Sequence, residues 1–457
     1  MFCITDSERF AGIRLPSAYC LQGRCFFYAF GHVYYFFLLT GSIVFNYLVY
    51  LILEKNTRKG IRLTAASFAV IANLGVLFYF KYFDFFISNI NKVFSSDIAL
   101  LGVALPLGIS FFTFQQVSFI VDTYKGETHG YGFLNYSLFV SFFPQLVAGP
   151  IVLHDELIPQ FDDESRYLPK PERFNEGLKY FVIGLCKKTI VADGFSKIVD
   201  AGFVDNMTWS SPSALLIMTC YTIQLYFDFS GYSDMALGLG RMLGFDLPVN
   251  FDRPLCAENP KDFWKRWHIT LNRFLTRYVY VPLGGSRKGK IRTYINIMIV
   301  FALSGIWHGS GWTFICWGVV CGMGTLLYTL FGKLYDCIPK VLRVLINFAY
   351  LVFSFTIFRA EYMSQALDMF KCLGHFDNTK DIFTLCNEFA ACPTDISGFI
   401  VTMLSLAATL GIVFFAPSSH EMAKGKEKKY TFVFYAFMAA LGILTFSNVT
   451  KFLYFNF

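Results

Sequence analysis

The sequence contains few charged residues. Of its 457 residues only 16% are Asp, Glu, Lys or Arg, whereas 55% are hydrophobic and 55 are Phe. A soluble globular chain carries about 25% charged residues. Long apolar runs recur from residue 26 to residue 446, and a helix of about 20 apolar residues can cross a bilayer. The composition predicts an all-α, multi-pass integral membrane protein and excludes an ordinary soluble domain.

The motifs of several common enzyme classes are also missing. The chain has no GxSxG elbow with partner residues, no complete P-loop and no HExxH sequence, which argues against the familiar hydrolase, NTPase and zincin mechanisms. Its twelve cysteines are scattered, without CxxC or Cys/His metal spacing. We interpret them as reduced, small hydrophobic residues. The sequence therefore predicts no metal site and no tightly bound cofactor.

The net charge of +7 does not indicate a nucleic-acid partner. Nucleic-acid binding would require basic residues gathered on a soluble face, and the sequence has no region of that kind. We attribute the excess to basic loops on the cytoplasmic side of the membrane. Such loops are expected at 55–62, 287–292, 333–343 and 424–429.

The apolar runs predict about ten or eleven membrane helices within one domain covering residues 1–457. Residues 1–20 carry Asp6 and Glu8 and lack the pattern of a cleavable signal, so we expect no signal peptide. Glycine- and proline-broken stretches at membrane depth are expected to line a cavity, because irregular backbone is tolerated there only inside protein or beside water. The predicted spans lie near 26–53, 63–80, 99–121, 133–150, 178–202, 213–227, 292–307, 313–332, 342–358, 398–416 and 430–446, and the broken stretches are 144–151 and 305–311.

His308 lies inside one of these apolar regions. A straight helix from Arg292 would rise about 24 Å before it reaches His308, which places this histidine past the bilayer midplane, towards the outside. A histidine at that depth is costly unless it faces protein or water, and it is a candidate functional residue. A neutral imidazole suits a general base, but a structural hydrogen bond explains its position equally well.

Small and aromatic residues surround His308 in the sequence. Gly309, Gly311 and Gly318 leave room for a substrate or for another backbone. The tryptophans around the histidine could form the wall of an acyl tunnel or could simply pack against other helices. They are Trp307, Trp312 and Trp317.

Residues 261–285 contain a second histidine. Aromatic and aliphatic residues recur there at spacings of three and four, which predicts an amphipathic helix near the inner interface. His268 follows Trp264 by four positions and so falls on the apolar stripe. A buried structural contact and a role in the active site both remain open.

Two carboxylates occur in the apolar segment 225–245. Asp228 and Asp234 could line the substrate path and tune a histidine, but intramembrane carboxylates are rare and usually paired. Ser233 or Asp234 could also cap a helix that begins there. We favour a structural role for both aspartates.

Five blocks of sequence resemble one known family. The chain is similar to the membrane-bound O-acyltransferases, and within them to the bacterial branch of the alginate O-acetylation membrane subunit, from about residue 21 to the C-terminus. The terminal FLYFNF (452–457) also looks like that branch. The blocks are LPLGISFFTFQQVSFIVDTYKGE (105–127), SFFPQLVAGPIV (141–152), LYFDFSGYSDMALGLGRMLGFDLPVNFDRP (225–254), DFWKRWHITLNRFLTRYVYVPLGGSRKG (262–289) and GIWHGSGWTFICWG (305–318).

The resemblance implies a helical enzyme of the bacterial cytoplasmic membrane. Such an enzyme moves an acyl group, most often acetyl, from a cytoplasmic thioester such as acetyl-CoA towards an extracytoplasmic polysaccharide. It implies that His308 is the active-site histidine and that His268 belongs to the same site. It further implies an extracytoplasmic acetyltransferase partner that completes the transfer.

The sequence departs from the family in two places. Cys321 stands where relatives usually carry a second histidine, in WGxxHG. A cysteine in apolar surroundings is a poor nucleophile, because such surroundings disfavour the thiolate, so a thioester on Cys321 is the weaker interpretation. The second departure is that only about twenty residues precede the matching region, so the N-terminus is short or divergent.

Three basic residues are candidates for the donor side. Arg287, Lys288 and Lys290 would attract the phosphates of an acyl-CoA by charge. Two other functions within the family remain open, D-alanyl transfer to teichoic acid and O-acetylation of peptidoglycan. A third alternative lies outside it, a proton-coupled transporter that uses Asp228, Asp234 and His308, although the repeat symmetry of transporters is missing.

Overall fold

A computed structural model describes residues 33–453, apart from 147–148, 378, 391, 393, 426–429, 447–449 and 451. Several sequence predictions therefore lie outside the described residues. They concern the N-terminus with Asp6 and Glu8, the first part of the span 26–53, three of the lysines in the loop 424–429, and residues 454–457.

In the described part of the chain, all regular secondary structure is helical, which confirms the predicted all-α class. We number the helices in chain order. They are α1 (Val33–Lys55), α2 (Lys59–Leu77), α3 (Phe83–Phe94), α4 (Ile109–Lys125), α5 (Phe133–Val140), α6 (Phe143–Leu146), α7 (His154–Asp162), α8 (Pro171–Cys186), α9 (Asp193–Gly202), α10 (Ser211–Met242), α11 (Pro260–Arg266), α12 (Ile269–Leu275), α13 (Lys290–His308), α14 (Trp312–Tyr335), α15 (Lys340–Arg359), α16 (Met363–Cys372), α17 (Asp381–Ala390), α18 (Asp395–Phe415), α19 (Ser419–Lys424) and α20 (Thr431–Leu444).

Six helical segments of the described chain are long and apolar enough to span a bilayer. They are Tyr34–Lys55, Lys59–Phe94, Lys290–His308, Trp312–Tyr335, Lys340–Arg359 and Asp395–Phe415. The other predicted spans contain helices, but these helices are shorter, broken or more polar. The run 133–150, for example, contains the two short helices α5 and α6. The sequence estimate of ten or eleven spans is therefore higher than the number that meets this criterion, because apolar runs inside the protein look like lipid-facing ones.

The described chain packs into two compact units. One contains residues up to 175 together with 239–248, and the other contains 176–238 and the residues from 249 onwards. That one domain covers the whole chain stays a prediction.

Polar side chains are buried inside the first unit. Asn46 of α1 donates to Gln116 Oε1 of α4 over 2.6 Å and to Asn73 Oδ1 of α2 over 3.0 Å. The imidazole of His154 lies 3.4 Å from the carboxylate of Asp122. Because polar groups in an apolar interior are costly unless they are hydrogen-bonded, these contacts fix the relative positions of the helices within this unit.

In the second unit, α8 and α10 approach closely at glycines. Gly177 and Gly184 are seven residues apart on α8, and Gly231 and Gly238 are seven apart on α10. A Cβ on Gly184 would lie 2.4 Å from the carbonyl oxygen of Gly231, and a Cβ on Gly238 would lie 2.6 Å from that of Gly177. Small residues of this kind let the backbones of membrane helices come together.

A second close crossing joins α13 and α14. A Cβ on Gly305 would lie 2.4 Å from the carbonyl oxygen of Phe314, and a Cβ on Gly318 would lie 2.4 Å from that of Phe301. The room left by these two glycines is thus used by a neighbouring backbone. Of the two interpretations that the sequence left open for Gly318, the structure supports close packing of helices.

We predict that Gly318→Ala destabilises the protein by about 1–3 kcal/mol, the usual cost of an overpacked contact. The added methyl group would meet a carbonyl of α13, which cannot rotate away as a side chain can. Thermal unfolding of the detergent-solubilised protein measures the change. Gly332→Ala is the matched control on the same helix, because its nearest neighbour is a ring atom of Tyr328 at 3.4 Å. Equal melting temperatures for the two variants would contradict the prediction.

Candidate active site

The structure brings the two histidines singled out by the sequence together. The rings of His268 and His308 have their centroids 6.4 Å apart, although forty positions separate them in the chain. His268 is 1% exposed and His308 is 4% exposed. Both imidazoles therefore lie inside the second unit, close enough to serve one site.

Aromatic rings enclose His308. The ring centroids of Trp307, Trp317 and Phe358 lie 5.0, 5.0 and 5.3 Å from that of the imidazole. Trp317 and Phe358 also contact each other, with centroids 4.9 Å apart. We call these three rings together with His268 the aromatic cage. Its members cover the imidazole and limit the approach of water.

The local sequence explains why His308 faces the cage. α13 is continuous from Lys290 to His308, as the sequence argument assumed, and it ends at the histidine because Gly309 is extended, with φ −163°. A Cβ on Gly309 would lie only 2.2 Å from the ring of Phe314. The chain can therefore turn tightly into α14, which brings Trp317 back against His308.

The prediction of one amphipathic helix over 261–285 is wrong in one respect. Two short helices, α11 and α12, replace it, and the helical backbone is interrupted at Trp267 and His268. We call this interruption the break. His268 has φ +45°, in the left-handed region. The three-to-four-residue spacing continues across this break, so the sequence pattern does not reveal it. The predicted apolar stripe is nevertheless buried, and Trp264, Trp267 and Leu271 are all less than 10% exposed.

Asn250 holds the break in place. Its side-chain oxygen accepts hydrogen bonds from the backbone N–H of Thr270 over 3.3 Å and from the Thr270 hydroxyl over 2.9 Å. The backbone carbonyl of Asn250 accepts from Ile269 N–H. The left-handed residue thus lies beside three hydrogen bonds that compensate its strained backbone.

The same asparagine fixes the proton on His268. The imidazole Nδ1 lies 3.2 Å from Asn250 Oδ1. That oxygen is identified as an acceptor by the backbone N–H of Thr270, so Nδ1 must donate to it and carries the hydrogen. In the neutral ring, Nε2 then bears a lone pair. It is buried, and none of the described residues forms a hydrogen bond with it, so it is available to accept a hydrogen bond.

Burial keeps His268 neutral. It lowers the pKa of His268 from its ordinary value to about 3, because the charged imidazolium would lose its hydration. The unfolded chain titrates near the ordinary value. Between about pH 3 and 6.5 the unfolded state therefore binds one proton more than the folded state, and the free energy of unfolding falls as the pH falls.

We predict that His268→Gln weakens this acid sensitivity. Between about pH 6.5 and 5 the wild type should lose about 2 kcal/mol more stability than the variant, at about 1.4 kcal/mol per pH unit. Chemical denaturation in a mild detergent at several pH values measures the difference. His375 is exposed, so His375→Gln should keep the wild-type slope. If His268→Gln also kept the wild-type slope, the prediction would be wrong.

Asp228 and Asp234 are both paired with lysines. Lys188 Nζ lies 2.7 Å from Asp228 Oδ1 and also 2.7 Å from Asp193 Oδ1. Lys187 Nζ lies 2.7 Å from Asp234 Oδ2. The two lysines follow the glycine crossing of α8 with α10, which brings them to the aspartates. These pairs support the structural role that the sequence favoured, and a place for the aspartates in the tunnel stays a prediction.

The idea that Ser233 or Asp234 caps a new helix is wrong. α10 runs without interruption from Ser211 to Met242, and both residues lie in its interior. The apolar run stops near residue 227 in the sequence, but the helix continues, and several of its polar side chains contact polar groups of other segments. Asn250 Nδ2, for example, lies 3.4 Å from Ser233 Oγ.

The remaining predicted site residues lie in different surroundings. Cys321 is buried one helical turn beyond Trp317, with its sulfur 3.4 Å from Ser354 Oγ. Trp312, the first residue of α14, is 59% exposed. Arg287, Lys288 and Lys290 are exposed in and next to the loop before α13.

Sequence reasoning missed two residues of the site. Asn250 positions His268, and Phe358 near the end of α15 completes the aromatic cage. A signal existed for Asn250, an amide in a short segment between two apolar ones. Phe358 is one of 55 phenylalanines, and no sequence pattern sets it apart.

The fold defines a multi-pass, all-helical membrane protein whose second unit buries a pair of histidines. Comparison with known proteins is consistent with that class. The model of the membrane-bound O-acyltransferase family matches residues 33–363. The chain belongs to this family, and it is a membrane O-acyltransferase.

Bacterial relatives extend the comparison. The Peptidoglycan O-acetyltransferase of Helicobacter pylori is 40% identical over 388 residues, which cover 78% of this chain and 73% of the relative. The Probable alginate O-acetylase AlgI of Pseudomonas aeruginosa is 37% identical, and the match covers 80% of this chain and 71% of the relative. The Teichoic acid D-alanyltransferase of Bacillus subtilis is 30% identical, and the match covers 56% of this chain and 69% of the relative.

Proposed function

We propose that this enzyme transfers an acetyl group from a cytoplasmic thioester towards an extracytoplasmic polysaccharide, with His308 as the general base. The observation that carries the proposal is the buried pair of imidazoles within the aromatic cage. A buried histidine at the end of a membrane span is costly and therefore functional by default. A second histidine, His268, lies beside it and is held neutral with its hydrogen on Nδ1. Two buried imidazoles side by side favour a shared functional role over a purely structural one.

The chemistry follows from the positions of the two rings. His308 takes the proton of an acceptor hydroxyl, and the hydroxyl oxygen attacks the carbonyl carbon of the thioester. The carbon–sulfur bond breaks, and the thiolate takes up the proton from the imidazolium of His308. Trp307, Trp317 and Phe358 exclude bulk water, which would otherwise compete for the acyl group. His268 orients the reacting groups through Nε2.

The donor enters from the side of the basic loop. Arg287, Lys288 and Lys290 are exposed there, so they can meet the phosphates of acetyl-CoA. α13 begins at Lys290 and ends at His308. If the loop is cytoplasmic, as its charge predicts, the histidine lies about 27 Å away along the helix, near the opposite side of the membrane.

Acetyl is favoured over D-alanyl by the extent of similarity. The two relatives named as O-acetyl enzymes match 78% and 80% of this chain, whereas the D-alanyltransferase matches 56%. Peptidoglycan and an alginate-like exopolysaccharide are both suitable acceptors. We place the enzyme in the cytoplasmic membrane, where an extracytoplasmic acetyltransferase partner would pass the acetyl group to the polymer.

We predict that His308→Ala lowers acetyl transfer by about 10²–10⁴-fold, the usual contribution of a general base. The measurement is the release of free thiol from acetyl-CoA by membranes that contain the enzyme and its partner, together with the ester content of the glycan. His375→Ala is the matched control and should retain full activity, because that histidine is exposed. Undiminished acetylation by His308→Ala at normal protein levels would refute the role of His308 and leave the transporter alternative in place.

We predict that Cys321→Ser leaves acetyl transfer within about two-fold of the wild type. Serine keeps the size and the contact with Ser354, and a thiol without a base is a weak nucleophile. The same thiol-release assay measures the rate. A loss as large as that of His308→Ala would instead indicate a covalent acyl intermediate on Cys321.

A further inference from the structure

A cavity of about 400 Å³ lies in the second unit, between α8, α10 and the helices α18 to α20. Its volume falls within the range of about 300–1,000 Å³ that small-molecule sites occupy. The walls are almost entirely apolar, and Cys186, Tyr226, Val413 and Met438 contribute to them. The aromatic cage is formed by other residues, so this cavity is distinct from the candidate active site.

The rim of the cavity is hydrophobic and exposed. Ile190, Ile412, Phe434 and Leu441 line it, and each is at least 37% exposed. Ile412 belongs to a helix that is apolar and long enough to span a membrane. Exposed apolar side chains on such a helix face hydrocarbon. The cavity therefore opens sideways, to the lipid tails.

One end of the cavity carries positive charge. Lys187 is neutralised by Asp234 at 2.7 Å and also donates to the Ser419 hydroxyl. Arg253 is different. Its guanidinium donates to the carbonyl oxygen of Phe414 over 2.8 Å, but no carboxylate among the described residues lies within 4 Å of it. The cavity thus has an apolar body and an uncompensated cation at one end.

The position of this cation at the end of a candidate membrane span predicts that it lies at the depth of lipid headgroups. α18 ends at Phe415, and the carbonyl that Arg253 contacts belongs to the residue before it. The end of a membrane-spanning helix lies near the interface. The basic segment 424–429 follows shortly afterwards, so this end is expected on the cytoplasmic side, where anionic lipids provide phosphate groups.

We propose that the cavity binds one acyl chain of an anionic phospholipid from the cytoplasmic leaflet, with its phosphate on Arg253. Basic pockets between membrane helices recognise such headgroups, and the apolar walls take the chain. Lys187, Ser418 and Ser419 also line the cavity and add polar groups that a headgroup can contact. The proposal does not depend on the acyl-transfer mechanism.

Native mass spectrometry of the full-length protein tests the proposal. The delipidated protein is mixed with equal amounts of phosphatidylglycerol and phosphatidylcholine, and the retained lipid is identified by mass. The wild type should keep about one phosphatidylglycerol per chain, in preference to the zwitterionic lipid. Equal retention of the two lipids by the wild type would overturn the proposal.

Substitutions separate the two parts of the site. Ala416→Phe fills the cavity and should lower retention of phosphatidylglycerol at least five-fold. Ala408→Phe is the matched control, because Ala408 lies on the exposed side of α18, and it should behave as the wild type. Arg253→Gln should lose about five-fold in preference for the anionic lipid, whereas Arg253→Lys should keep that preference.

Two results of these experiments would contradict the proposal. The first is wild-type retention by Ala416→Phe together with wild-type preference in Arg253→Gln. The second comes from adding coenzyme A to the lipid-bound wild type before the same mass measurement: displacement of the lipid would make the cavity part of the donor site instead. If Ala416→Phe did not fold, the lipid preference of the wild type and of the two Arg253 variants would still test the proposal. Wild-type preference in Arg253→Gln would then contradict it.

Discussion

The contact between the backbones of α13 and α14 is the constraint on which the candidate active site depends. No side chain separates Gly305 from Gly318, so the two helices cross at the distance of their main chains. Trp317 precedes one of these glycines by one residue, and His308 follows the other by three. The crossing therefore presses the indole against the imidazole. A larger residue at Gly305 or Gly318 would meet the main chain of the facing helix. It would push the two helices apart and so separate the rings of Trp317 and His308.

The second histidine, His268, is positioned by an irregular backbone and not by a helix crossing. His268 lies at a break between two short helices, and a left-handed residue there costs free energy on the order of 1–3 kcal/mol. Asn250 offsets that cost with hydrogen bonds to the chain on the far side of the break, and with the same oxygen it sets the tautomer of the ring. Strained residues that a network holds in place are typical of functional sites. The crossing of α13 and α14 thus positions His308, and the break that Asn250 stabilises positions His268.

The sequence predicts well what depends on local composition. Apolar runs and basic loops can be recognised from neighbouring residues, so the helical class could be predicted, and so could the apolar stripe that contains Trp264 and Trp267. What depends on distant contacts could not be. The break at His268 keeps the helical spacing of apolar residues and is set by Asn250, eighteen positions away. The lysine partners of Asp228 and Asp234 depend on the glycine crossing of α8 with α10. The number of true spans depends on which apolar faces meet protein instead of lipid.

The ion pairs of α10 bear on the choice between an enzyme and a transporter. A proton path needs carboxylates that change their protonation state, and protonation of Asp234 would leave Lys187 without its ion-pair partner. Lys188 lies 2.7 Å from both Asp193 and Asp228 and is 9% exposed. Removing one member of a buried ion pair costs about 3–5 kcal/mol, so protonation of Asp234 would be opposed by Lys187. Asp193 and Asp228, by contrast, share Lys188 and hold it between α9 and α10. The carboxylates are therefore better suited to holding α8 against α10 than to relaying protons. Of the candidate residues in this unit, we therefore propose the imidazoles for the chemistry, with His308 as the base and His268 held neutral beside it.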